Sequence, residues 1–139
     1  MSLTSMQADL SSKQNAVSAQ QANIAGLQTK IAAIDALYQT LKGQKESMKT
    51  LKKDASTMAD EEHEFWKGNL IKTKYQEPLK SNVVEGGYAT IVTQIDTNLD
   101  ALNTAKTECE NQILASQGLI GQLAAGINTL INAIENFVN

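Results

Sequence analysis

The chain has 139 residues, a formal net charge of −3, one proline and few aromatic side chains. So small a charge implies no charged partner, and basic residues that are all lysine, with no arginine to fork onto phosphates or bases, argue against nucleic acid. A single cysteine excludes an internal disulfide, and abundant Ala, Leu, Ile, Gln and Asn favour helix over sheet.

Met1-Ser2-Leu3-Thr4-Ser5-Met6 has no basic region leading into an apolar run, and no stretch approaches the roughly 18 apolar residues of a membrane span. The expectation is a chain without a Sec leader or stable membrane insertion. It resides in the cytoplasm or leaves by a route that reads no cleavable signal.

From there, Leu3, Leu10, Val17, Ile24, Ile31 and Tyr38 recur every seven residues, with Met6, Leu27, Ile34, Leu41 and Met48 three residues on. This is a coiled-coil register. Lys13 and Gln20 interrupt the second row. Such interruptions fix register or leave room for a partner; a frayed, solvated first third is the competing expectation. Beyond Gly43 the apolar stripe is expected to continue through Met48, Leu51, Ala55 and Met58, with the lysines from Lys42 to Lys53 on other faces. One glycine costs a helix only about 1 kcal/mol, so the first arm is read as running from about residue 2 to 62.

Glu64-Phe65-Trp66-Lys67-Gly68 lies near the midpoint, and the turn is placed at 63–68. Gly68 tolerates the positive φ of a chain reversal, and Phe65 and Trp66 can cover the end of a helix pair. The second arm covers about 69–137. Pro78 removes a backbone donor and Gly86-Gly87 weakens the next turn, which predicts a kink or break between Glu77 and Gly87. Regular rows then return. Tyr88, Ile95, Leu102, Cys109, Leu123, Leu130 and Phe137 form one, broken by Ser116; Val92, Leu99, Ile113, Ile120, Ile127 and Ile134 form the other, broken by Lys106. The predicted fold is therefore all-α, one long antiparallel, coiled-coil-like helical hairpin over residues 1–139 with its turn at Trp66–Gly68.

Charge is unevenly spread. Sixteen of the 27 charged residues fall between Lys42 and Lys80, whereas Asn111–Ile134 holds none. The uncharged end is thus the candidate for burial against another chain, through Leu10, Val17 and Ile24 on the first arm and Ile113, Ile120, Leu123, Ile127, Leu130 and Ile134 on the second. Gly118, Gly121 and Gly126 would let helix backbones approach there; plain helix flexibility and a membrane-active helix are the competing readings.

Chemistry is sparse. His63, the single histidine, sits among Glu61, Glu62 and Glu64, but consecutive helical residues point to different faces and no His-Glu-x-x-His pair exists. Cys109 lies in an apolar row and reads as a core residue. With no activated nucleophile and no phosphate-cradling glycine loop, a non-enzymatic protein without metal or cofactor is expected.

Trp66-Lys67-Gly68 at the centre of a nearly all-helical chain resembles the Trp-X-Gly helical-hairpin proteins of type VII (ESX-type) secretion in Gram-positive bacteria. In length the chain is most similar to their LXG-toxin-associated α-helical members. The resemblance spans the whole chain as architecture but three residues as motif. It implies an accessory chaperone that binds the helical N-terminal LXG domain of a toxin, with a second small helical protein as a further candidate partner. It also implies that Phe65, Trp66 and Gly68 form part of an export signal. The family's Tyr-x-x-x-Asp/Glu element is missing, since Tyr38, Tyr75 and Tyr88 are followed four residues on by Lys42, Leu79 and Val92. That half of the signal would then sit on a partner chain. The alternatives are a self-assembling structural coiled coil and a component of an α-helical pore-forming system.

Overall fold

A computed structural model describes residues 2–60 and 72–139. The first helix, α1 (Leu3–Asp60), is followed by two π-helical segments, Lys72–Gln76 and Leu79–Tyr88, and by α2 (Ala89–Val138). The fold is an all-α helical hairpin in which α1 and the returning arm pack against each other, with no strand among the described residues. Ser2 starts α1: its hydroxyl accepts from the Ser5 backbone N–H at 3.1 Å and its carbonyl from the Met6 N–H at 3.0 Å. This capping satisfies donors that the first turn would leave unpaired. Exposed threonines such as Thr29, Thr40 and Thr104 donate to the carbonyl four residues back, at 3.1 Å each. β-Branched residues are thereby accommodated on the solvent faces.

The chain divides into two compact units, Met1–Ile34 with Ala105–Asn139 and Asp35–Thr104. In the first, Met6, Leu27 and Leu130 are buried, and so is Ser116, only 4% exposed. The Asn23 side-chain amide donates to Ser116 Oγ at 3.0 Å. A Cβ built on Gly126 would stand 3.3 Å from Lys13 Cε, so the lysine stem lies over the glycine. Ten residues forward along α1, from Lys13 to Asn23, thus match ten residues back along α2, from Gly126 to Ser116, which fixes an antiparallel register. The lysine that interrupts the heptad row is accommodated by the missing side chain opposite. Its stem packs while its ammonium stands 3.6 Å from the Asp9 carboxylate one turn back, and the first third is helical from Leu3 rather than frayed.

In the second unit Ala59, Val84, Ile95 and Leu99 are buried. Lys45 pairs with Asp96, and Lys80 with Asp60 at 2.7 Å. Fifteen residues of α1 here face sixteen of the returning arm, which contains the π-helical turns. One expectation is corrected. Leu51 and Met58 do not continue the buried stripe but are 47% and 48% exposed. The strict seven-residue row runs instead through Lys45, Lys52 and Ala59, with Lys45 and Lys52 partly covered and Ala59 buried. Leu51 and Met58 each stand one position before that row, which turns them off the seam.

The irregularity expected around Pro78 takes the form of π-helical turns, not a break. Pro78 keeps helical dihedrals of φ −62° and ψ −39°, and Ala89 N–H bonds to Val84 O, five residues back. Glu77 and Pro78 stay α-helical between the two π segments, and the wider turns resume directly after the proline. They also bring the Ser81 carbonyl oxygen to 3.1 Å from where a Gly86 Cβ would sit. By contrast, nothing lies within 4 Å of a Cβ at Gly43. Chemical denaturation is therefore expected to show Gly43→Ala stabilising by about 0.5–1 kcal/mol through helix propensity. Gly86→Ala loses about 1 kcal/mol or more through overpacking. In the same assay Leu27→Ala, at a site only 5% exposed, costs about 2–4 kcal/mol. Leu37→Ala, at a site 49% exposed, stays within about 0.5 kcal/mol.

Candidate interaction surface

Phe65, Trp66 and Gly68, expected to form the turn and export signal, lie outside the described residues, as does His63. The interface candidates of the first unit are all in view. Leu10, Val17, Ile24, Ile113, Ile120, Leu123, Ile127 and Ile134 are partly covered and Leu130 is buried. They occupy the covered positions of two helices already packed together in that unit. Their first role is therefore the internal seam, and only their outer edges remain for another chain. More accessible apolar area in the same unit comes from Leu114, 64% exposed, Leu119 and Ile131. Cys109 is a free, partly covered thiol in the heptad row.

The second unit has two unlike edges. One carries charge: Lys45 bonds Asp96, and Lys49 approaches Glu46 at 3.9 Å. The Asp96 hydrogen bond is the main reason that the Lys45 amine is held above its ordinary pKa, and the hydrogen bond from Lys80 to Asp60 raises Lys80 in the same way. The other edge is uncharged. There a groove of about 410 Å³ opens between α1 and α2, with Leu41, Met48, Ile91 and Ile95 as its apolar lining and Gln44 and Gln94 as amides. Leu37, Leu51 and Met58 share the heptad position of Gln44. Their seven-residue spacing was the available signal for this edge.

Among the described residues no cluster of His, Cys, Asp and Glu could hold a metal ion, and no helix is long and apolar enough to cross a membrane. Comparison of the chain with protein-family models, curated proteins and solved structures finds no match.

The lysine pairs set an alkaline limit. A raised lysine value means that the pair stabilises the fold below the unfolded-state lysine pKa of about 10.4 and that this contribution is lost as pH rises through the folded-state value. Denaturant midpoints are expected to show no loss from these pairs between about pH 7 and 9. Asp96→Asn is expected to remove part of the fall seen above about pH 10.4, a difference read by comparing the two pH profiles.

Proposed function

We propose that the chain is a non-enzymatic accessory protein that binds the helical N-terminal LXG domain of a type VII-secreted toxin, keeps it soluble and contributes Trp66-Lys67-Gly68 to a composite export signal. The observation that carries the binding half of this reading is the large apolar side chains left exposed on helices that already pack together, Leu37, Leu51 and Ile91 in one unit and Leu114, Leu119 and Ile131 in the other. Exposed leucines and isoleucines on helices of heptad periodicity are suited to further helices. The toxin and the export role rest on the resemblance of Trp66-Lys67-Gly68 to the family motif, and in this reading the partner supplies the Tyr-x-x-x-Asp/Glu element. For localisation, the reading is that the chain acts in the cytoplasm, with the type VII system as its route if it leaves the cell.

Self-assembly is the reading to be set against it, because the same exposed apolar edges would also serve identical chains. Light scattering on the isolated protein separates the two. A monomer or weak dimer is expected, and a large homomer would support a scaffold. For the export role, Trp66→Ala is expected to leave the complex assembled while toxin secretion falls to background; normal secretion would sink the signal. Ile127→Asp is expected to abolish co-purification. Because Ile127 also belongs to the internal seam, its helicity is measured by circular dichroism beside the pull-down.

A further inference from the structure

We infer that the uncharged edge of the second unit seats a single amphipathic helix from another protein. This rests on the reading of the chain as a partner-binding hairpin and names the face and the chemistry involved.

Along α1, Leu37, Gln44, Leu51 and Met58 recur at seven-residue intervals, and such positions form one line along a supercoiled helix. Leu37, Leu51 and Met58 are 49%, 47% and 48% exposed, and across the groove Ile91 is 42% exposed. Two apolar positions per heptad suit a two-stranded seam. A third, flanking one belongs to helices that pack on a further helix in a bundle. The groove between Met48 and Ile95 supplies the depth for the knobs of that helix. An occupant with matching periodicity is another heptad helix, not an extended peptide whose side chains alternate.

Charge selects the edge and the occupant. On the opposite edge an incoming helix would strip water from the Lys45–Asp96 pair and from Lys49, a cost that few contacts recover. On the uncharged edge the groove is bounded by Gln44, Ser47, Gln94 and Asn98. The one charged end is an open hollow where Met58 meets Asp54 and Asp60. Asp60 is engaged by Lys80, whereas Asp54 makes no ion pair among the described residues. The seated helix therefore carries an apolar stripe with uncharged flanks over Gln44 and Gln94, and a lysine or arginine near Asp54. A second copy of this chain fits less well, because within the second unit this edge, through Thr40, Ser47, Gln94 and Asn98, offers no lysine to Asp54; the lysine on the Leu37 row, Lys30, belongs to the first unit.

The test places a photo-crosslinking residue, benzoylphenylalanine, in the full-length chain in its native cell. It replaces Leu51 or Ile91 on the proposed edge, Lys49 on the opposite edge, or Leu114 in the first unit. Positions 51 and 91 are expected to give adducts with one other protein. Mass spectrometry should map them to a heptad-patterned segment containing a lysine or arginine, at several-fold higher yield than position 49. Leu51→Gln, at an exposed site, is expected to reduce that adduct from position 91 several-fold with helicity unchanged. Adducts chiefly with a second copy of this chain overturn the inference. So does a heterologous adduct from position 49 or 114 with none from 51 and 91, which leaves the partner-binding reading standing. No heterologous adduct from any of the four positions overturns both.

Discussion

A helix can turn only one stripe toward a single neighbour, and that limit governs the molecule. Each heptad row of α1 finds cover on the returning arm, yet among the described residues no large side chain is fully enclosed. At about 25 cal/mol per Å² of apolar surface removed from water, a two-helix seam collects only part of the stabilisation that its leucines and isoleucines could give. The cover that is missing has to come from outside the hairpin, which is why its edges carry more functional information than its seam.

Within the seam, polar residues specify register. Asn23 meets Ser116, Lys13 lies over Gly126, and Lys45 is tied to Asp96. A slip by one residue would separate each of these pairs and set lysine stems against bulkier neighbours. Uniform leucine would give a tighter but less discriminating zipper. The glycine at 126 thus has a concrete use, steric room for Lys13, which simple flexibility does not explain.

Much of this architecture is legible in the residues because the helix period recurs over long stretches with only a few polar interruptions. The rows from Leu3, Met6, Tyr88 and Val92 predict two arms and which residues face inward, and the seam falls on them, except at Phe137, which is 58% exposed. What was not legible depended on three dimensions. Lys13 reads as an interruption until Gly126 is found opposite. Pro78 and Gly86 mark a departure from regular α-helix, but only the structure shows π turns in place of a break. Leu51 and Met58 suggest the wrong stripe by their size, although they stand one step off the exact spacing and are exposed.

The central claim, that a partner helix completes an under-covered hairpin along its uncharged edge, is tested most directly by hydrogen–deuterium exchange on the chain alone and in the complex isolated from its native cell. Added protection is expected in the α1 segment 37–58 and the α2 segment 91–98, where docking suppresses local opening. Unchanged exchange in both segments, or new protection confined to residues 105–139, would contradict it.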